Sequence, residues 1–437
     1  MITSSIGQKF LNLYNKEYQQ NYSAKAFFEQ EFIPLFFDYP VYMMKGGNAP
    51  LNNPKIKKGH FPDEKERSER ITRTISKIEN EPAASSPVGY PSDDLMATTS
   101  GQVTDMDLNI TSEKVYLSWI GGALGIGVKG GLAIYFDHPK ILLDTYKGWK
   151  YYRQLLEETK NMKGQQIETW NGQWLAHLYS NNFDPDNPLL NLDCLMNQNN
   201  VIQLATQSWT RLLFGIARQF SGINMTGYVY NLGQMNTTIG FIPFVLPEVN
   251  RPLKLYRKIF GENEYLDNTN KIESIFDNNY GLERACQLGA IGIQAIEPRD
   301  LKAYLVHRSK TPQFPKYKDA DQDQIITFNT YITWILAMLN NEELLQKAED
   351  AAKVLSQYEQ TDKKGRAKTE KSNAVKSLLE SRNRKNFIDN LIPLMETNNS
   401  DPGKLNELVQ EINKMPAENF SYFLTLIRFK YAYIKNL

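Results

Sequence analysis

The pattern of apolar residues changes near residue 320, and this change constrains the fold more than any other feature of the sequence. From residue 324 to the C-terminus, apolar residues recur at the three- and four-residue spacing of amphipathic helices. The predicted helices cover 324–340, 342–358, 368–382, 384–396, 404–414 and 416–435. Helices joined by short connections pack as antiparallel neighbours, so we predict an all-α bundle over 321–437.

The first 320 residues mix helical and strand-like segments. Helices are predicted over 8–37, with Ser23 as an N-cap, and over 139–160, with Pro139 in the first turn. Residues 114–136 predict two buried strands around a glycine loop. The sequence therefore predicts an α+β fold, with a mixed N-terminal domain over 1–320 followed by the helical bundle.

The composition excludes several classes of protein. An apolar content of 41% and an aromatic content of 12% are sufficient for a large core. Two cysteines exclude a disulfide-rich scaffold and a cysteine-caged zinc site, and they favour a reducing, cytoplasmic location. The sequence contains no run of 18 apolar residues, so we predict no membrane span. The net charge of +1 argues against a uniformly basic nucleic-acid binder.

Basic residues are nevertheless concentrated in two stretches. Eight basic and four acidic residues interleave over 55–77, which is typical of a solvated helix face. Nine basic residues face only two acidic ones over 363–385. The second stretch predicts either a surface that contacts a polyanion or a solvated linker and helix.

A glycine-rich string over Leu117–Gly131, LSWIGGALGIGVKGG, contains the spacing G-x-G-x-x-G at Gly125, Gly127 and Gly130. A dinucleotide-binding fold requires a helix at this point, but the chain continues as GLAIYF, which predicts a strand. We interpret the string as a close-packed hairpin, with contact to a nucleic-acid backbone as the alternative.

The sequence offers little support for catalysis. Its four histidines are far apart, and it contains no C-x-x-C or G-x-S-x-G motif, so we predict no metal site, no cofactor and no catalytic residue. Pro62-Asp63 matches the first half of a carboxylate–lysine nuclease centre, without a convincing second half. A sequence-specific endonuclease with a degenerate centre of this kind therefore remains an alternative.

Three loop segments (43–53, 85–109 and 217–236) are rich in amide and hydroxyl side chains. Such side chains can read base edges, and they also form ordinary turns. Trp170 and Trp174, four residues apart, predict a helix that anchors two indoles in the core.

With basic and amide-rich loops in its first three quarters and a helical end, the chain resembles the large subunit of type I CRISPR effector (Cascade) complexes of the I-A/I-B-like kind. The likeness rests on this domain order, on the string KMPAENFSYFLTLIRFKYAY (Lys414–Tyr433) and on the glycine-rich string. It implies a non-catalytic, DNA- and RNA-binding subunit of an antiviral defence ribonucleoprotein. In such complexes guide RNA pairing reads the target, and protein reads a short flanking (PAM) motif.

The resemblance also implies partners: guide RNA, target DNA, the backbone and guide-end CRISPR subunits, and a recruited helicase–nuclease. From side-chain type and loop placement, the candidate motif readers are Lys45, Asn48, Gln102, Thr104, Lys129 and Asn224. The candidate contacts to nucleic-acid backbone are Lys57, Lys58, Arg73, Lys364, Arg366, Lys368, Arg382, Arg384 and Lys385. A structural scaffold without a nucleic-acid role is a second alternative.

Overall fold

The protein has an α+β fold, seen in a computed structural model that describes residues 2–45, 51, 61–80, 82, 110–231, 238–277, 281–309, 311–360, 366–395 and 402–436. Its α-helices are α1 (Ile2–Glu17), α2 (Ala24–Phe27), α3 (Ile33–Phe37), α4 (Glu64–Asn80), α5 (Ser112–Gly122), α6 (Pro139–Glu158), α7 (Ile167–Leu178), α8 (Trp209–Gln219), α9 (Leu246–Phe260), α10 (Glu262–Ile275), α11 (Leu282–Cys286), α12 (Gln322–Leu339), α13 (Glu343–Gln360), α14 (Arg366–Leu379), α15 (Arg384–Met395), α16 (Pro402–Lys414) and α17 (Asn419–Lys435). Its strands are β1 (Ile126–Val128), β2 (Leu132–Phe136), β3 (Leu195–Gln198), β4 (Val201–Leu204), β5 (Met225–Asn231) and β6 (Thr238–Phe244).

The chain divides into two compact units. Unit 1 comprises Met1–Leu246 and Tyr280–Ile291, and unit 2 comprises Pro247–Asn279 and Gly292–Leu437. The bundle predicted over 321–437 thus lies within unit 2, which also takes in α9 from Pro247 onward and α10.

Aromatic side chains fill the first core of unit 1. The predicted helix over 8–37 is divided: α1 ends at Glu17, and Ser23 caps α2 by accepting a hydrogen bond from the Ala26 amide. A π-helical turn, Phe28–Phe32, joins α2 to α3. Phe32 stacks on Phe36 at 4.1 Å, and Phe36 meets Trp149 of α6 edge-on at 4.8 Å. This aromatic packing joins α3 to α6, which begins at Pro139 as predicted.

The prediction of a strand at the start of 114–136 is wrong, because residues 112–122 form α5. Thr111 caps this helix by accepting from the Lys114 amide at 3.3 Å. Every residue from Val115 to Gly122 is buried. A helix buried all round has no polar face, so it lacks the 3.6-residue period that identifies a helix in sequence.

Among the described strands, four form an antiparallel sheet in the order β1-β2-β5-β6. β1 and β2 form the predicted hairpin around Lys129, Gly130 and Gly131, and both glycines have positive φ. β3 and β4 pair separately as a hairpin. α7 packs against β1 and α8 and anchors two indoles, as predicted: Trp170 and Trp174 are buried and donate to the carbonyls of Gly148 and Asp144, both at 2.8 Å.

In the described residues of unit 2, all the regular secondary structure is helical. The six helices predicted between 324 and 435 correspond to α12–α17. α17 lies against α12 and α13, where Phe429 meets Phe328 at 4.9 Å. Glu359 of α13 accepts hydrogen bonds from Tyr431 and Lys435 of α17. Of the helices that the structure describes, none combines the length and apolar character that crossing a membrane requires.

Candidate nucleic-acid interface

Six of the predicted nucleic-acid contacts lie outside the described residues. They are Asn48, Lys57, Lys58, Gln102, Thr104 and Lys364. Arg366 is the first residue of α14, and its side chain also lies outside the described part of the chain. The remaining predicted residues are placed by the structure in both units.

The described basic residues near the C-terminus form an exposed surface on α14 and at the start of α15. We name Lys368, Lys376, Arg382 and Lys385 the α14–α15 basic surface, and all four are exposed. Lys368 and Lys376 lie eight residues apart on one helix, or about 12 Å along its axis. From 366 to 385 the sequence has seven basic and two acidic residues, so this segment carries a charge of +5.

Apolar residues of the same two helices are buried. Val375, Leu378 and Leu379 of α14 are buried, as are Phe387 and Leu391 of α15. The side-chain amide of Asn390 in α15 donates to the Ser377 carbonyl at 3.2 Å. α14 and α15 therefore pack together through buried side chains, while Lys368, Lys376 and Lys385 remain exposed.

Arg384 differs from its neighbours. It is half-buried, and its guanidinium donates a hydrogen bond to the main-chain carbonyl of Met415. It therefore links the first turn of α15 to the residue that follows α16. Lys371 of α14 is also half-buried, with its ammonium 5.1 Å from the centre of the Tyr358 ring.

In unit 1, two predicted motif readers lie at opposite ends of the sheet. Lys129 occupies the β1–β2 turn and is exposed, and its amide donates to the Gln207 carbonyl at 2.9 Å. Asn224 is exposed just before β5. The register runs from Leu132 paired with Asn231 to Phe136 paired with Gly227. These four steps separate the two ends by about 13 Å, so the sheet does not bring Lys129 and Asn224 together.

One sheet face carries a row of aromatic rings that we did not predict from the sequence. Tyr135, Tyr228 and Phe241 are neighbours on β2, β5 and β6, with ring centroids 6.4 and 5.2 Å apart. Tyr135 is buried, Tyr228 is half-buried and Phe241 is 66% exposed. Exposed aromatic rings on sheets are used by single-strand binding proteins to stack bases. The alternation of residue types in the segments MTGYVYN and TIGFIPF is the sequence pattern that could have predicted this row of rings.

Lys45 lies in a segment that a buried arginine holds in place. Arg153 of α6 donates to the main-chain carbonyls of Leu35 and Val41, at 2.8 Å from Nε and 3.3 Å from Nη1. Lys45 is exposed, and its charge acts on Glu168 of α7. Burial raises the pKa of the Glu168 carboxyl, and the positive charge of Lys45 opposes that rise.

The first half of the proposed nuclease motif serves as a helix cap. Asp63 Oδ1 accepts a hydrogen bond from the Glu66 amide at 2.8 Å, and Glu66 Oε2 accepts from the Asp63 amide at 3.3 Å. This reciprocal capping box starts α4, on which Arg73 is exposed. Within the described ranges, no three His, Cys, Asp or Glu residues are grouped in a way that could hold a metal ion.

The glycine-rich string supports close packing between elements. A Cβ on Gly127 of β1 would lie 2.8 Å from the main chain of Glu168 in α7, and one on Gly172 of α7 would overlap the Gly127 carbonyl oxygen. A side chain at either position would therefore separate α7 from β1. The chain continues from this loop as β2, so no helix begins at the glycines.

The two cysteines are buried and unpaired. Burial raises the pKa of each thiol to about 11, which keeps both protonated and weakly nucleophilic at neutral pH.

Comparison of the chain with protein-family models, curated proteins and solved structures finds no match.

Proposed function

We propose that this protein binds nucleic acid without catalysing a reaction on it, as the large subunit of an RNA-guided CRISPR surveillance complex in the cytoplasm. Its partners in that role are guide RNA, target DNA, the other complex subunits and a recruited helicase–nuclease. The α14–α15 basic surface carries the proposal. Its four exposed cations lie on a segment with a charge of +5, in a chain whose net charge is only +1.

The physical basis is the local density of positive charge. Lysines that neutralise phosphates release condensed counterions, so affinity depends on local charge more than on the total charge of the chain. Lysine and arginine side chains that project from one helix pair can follow the backbone of a strand. The exposed ring of Phe241 in unit 1 is available for stacking on an unpaired base.

The test is a triple variant, Lys368→Ala/Lys376→Ala/Lys385→Ala, in the full chain. Binding to a fluorescent single-stranded oligonucleotide is measured across a salt series. We expect weaker binding, together with a slope of log K against log salt that is shallower by about 2 units, since each lost phosphate contact on a single strand removes about 0.7.

A matched control replaces three exposed lysines on other parts of unit 2, Lys254, Lys302 and Lys316, by alanine. Both triple variants change the net charge from +1 to −2, so only a local contact distinguishes them. Equal salt slopes in the two variants would refute the assignment of this surface.

Mg²⁺-dependent cleavage by the purified chain would refute the non-catalytic role. Copurification of the tagged chain with a short RNA tests the RNA-guided setting, and recovery of the chain free of RNA would count against it.

A further inference from the structure

A cavity in unit 1 lies apart from all the residues discussed above as nucleic-acid contacts. It has a volume of about 350 Å³ and lies between α6, α7, the end of α8 and the loop that follows α7. Its walls combine three lysines, one carboxylate and four aromatic rings. The charged members are Lys140, Asp144, Lys147 and Lys150, and the rings are those of Tyr151, Trp174, Tyr179 and Phe183.

Asp144 organises the charged side of the cavity. Its side chain is only 3% exposed, and it accepts hydrogen bonds from Lys140 Nζ at 2.8 Å, Lys147 Nζ at 3.3 Å and Tyr179 Oη at 3.0 Å. Burial and the Asp144 charge raise the pKa of the Tyr179 hydroxyl, which remains a hydrogen-bond donor. The carboxylate thus fixes two ammonium groups at the cavity while about half of each lysine side chain remains exposed.

Lys150 is the third cation, and it is not bound to the carboxylate. Its ammonium lies 4.8 Å from the centre of the Tyr151 ring. Three lysines and one carboxylate give the cavity lining a charge of +2. A lining with this charge favours an anion over a cation.

The aromatic side of the cavity is preformed. Tyr151 lies 5.0 Å from Trp174, and Phe183 meets Trp174 edge-on at 6.1 Å. His177 of α7 pairs with the Pro188 carbonyl at 3.1 Å and so ties the loop that carries Phe183 to the helix, and within the loop Asp184 accepts from the Asp186 amide at 2.9 Å. Tyr151 and Phe183 are half-buried, so parts of both rings remain accessible.

These features select one class of ligand. The positive charge disfavours a quaternary ammonium ion, which an aromatic cage alone would accept. A bare phosphate would use the lysines but not the rings. The volume lies at the lower end of the roughly 300–1,000 Å³ typical of small-molecule sites, which limits the ligand to about one nucleotide.

We propose that this cavity binds a nucleotide, with the base against Tyr151 and Phe183 and the phosphate at Lys140, Lys147 and Lys150. The same chemistry is presented by a free mononucleotide and by the 5′-phosphorylated end of a strand. Asp144 is a positioning residue, because it acts on the phosphate through the lysines that it holds. The proposal does not depend on the α14–α15 basic surface, since it uses other residues of another unit.

The experiment titrates the full chain by calorimetry with AMP, adenosine, inorganic phosphate and a tetranucleotide with or without a 5′-phosphate. We expect AMP to bind more tightly than adenosine or phosphate. If the phosphorylated tetranucleotide binds more tightly than AMP, the ligand is the end of a strand. If AMP binds more tightly, the ligand is a free nucleotide. Either result supports a nucleotide site in this cavity.

Two variants separate the phosphate contact from the stacking contact. Lys150→Ala removes an exposed cation and leaves the Asp144 network intact, and we expect AMP binding to weaken about tenfold. Tyr151→Leu is expected to weaken AMP binding about fivefold or more, with no change for inorganic phosphate. Lys160→Ala, an exposed lysine beyond the end of α6, is the control and should leave AMP binding unchanged.

Three results would overturn the proposal. They are the absence of saturable binding of both AMP and the phosphorylated strand, AMP binding that neither variant weakens, and an equal loss in the Lys160→Ala control. A loss of oligonucleotide binding confined to the α14–α15 triple variant would leave this site unaffected, so the two proposals can fail separately.

Discussion

Replacing Arg428 by alanine is expected to lower the free energy of unfolding of unit 2 by about 3–5 kcal/mol. Arg428 of α17 is completely buried, and its guanidinium donates to the main-chain carbonyls of Tyr304 at 2.8 Å and Gln313 at 2.7 Å. A longer contact of 3.4 Å reaches the Pro312 carbonyl, and the Phe314 ring lies 5.1 Å away. Alanine would leave these carbonyls without their donor and create a cavity in the core.

Burial lowers the pKa of Arg428 to about 10, so the guanidinium remains charged at neutral pH. Removing this donor is costly because buried carbonyl oxygens are then left without a hydrogen-bond partner. Hydrogen exchange measured by mass spectrometry is the appropriate readout, because it reports unit 2 separately. Protection should fall over residues 301–313 and over α17.

The control for this prediction is Arg299→Ala in the same unit. The Arg299 side chain is 53% exposed and lies 3.7 Å from the Asp300 carboxylate. An exposed pair of this kind contributes at most about 1 kcal/mol, so exchange should change little. If the two variants lose equal protection, the carbonyls around Arg428 do not hold the 304–313 segment to α17.

Gly121→Ala is expected to destabilise unit 1 by about 3 kcal/mol or more, because α1 and α5 cross with their backbones in contact. A Cβ on Gly121 would overlap the Thr3 carbonyl oxygen and lie 2.8 Å from the Gly7 nitrogen. Thr3 and Ser118 share a hydrogen bond of 2.7 Å at the same crossing. The helices would have to separate, and the buried contact between them would be lost.

Gly222→Ala provides the matched control. A Cβ on Gly222 meets no atom within 4 Å, and the residue is exposed after α8. Its replacement should be neutral or slightly stabilising, within about 1 kcal/mol. Urea unfolding followed by tryptophan fluorescence compares the two variants. A Gly121→Ala protein of normal stability with weakened nucleic-acid binding would instead support a ligand contact by this part of the glycine-rich string.

Features that depend on neighbours within about four residues could be predicted from the sequence. Ser23 caps α2, Pro139 starts α6 and the six C-terminal helices occur where the apolar period indicated them. Trp170 and Trp174 are also in the core as predicted. A helix that is buried from Val115 onward, as α5 is, carries no such local period, which explains why the sequence predicts a strand at the start of 114–136.

The residues of the candidate sites were harder to predict from the sequence than the helices and their caps. Lys368 and Arg384 belong to the same basic stretch, yet Lys368 projects into water while Arg384 donates to the Met415 carbonyl. The sequence gives no sign that Lys140, Lys147 and Lys150 line one cavity, because three of its four rings lie 24 or more residues further along the chain.

By itself, the sequence determined the α+β class, the helical C-terminal region and the concentration of positive charge over 363–385. The tertiary structure alone decided which charges are exposed and which are buried. Arg428 stands in a string of helical periodicity that gives no sign of its burial, and its carbonyl partners are more than 110 residues away. Local propensity acts over one helical turn, whereas burial and long-range hydrogen bonding depend on which distant segments pack together.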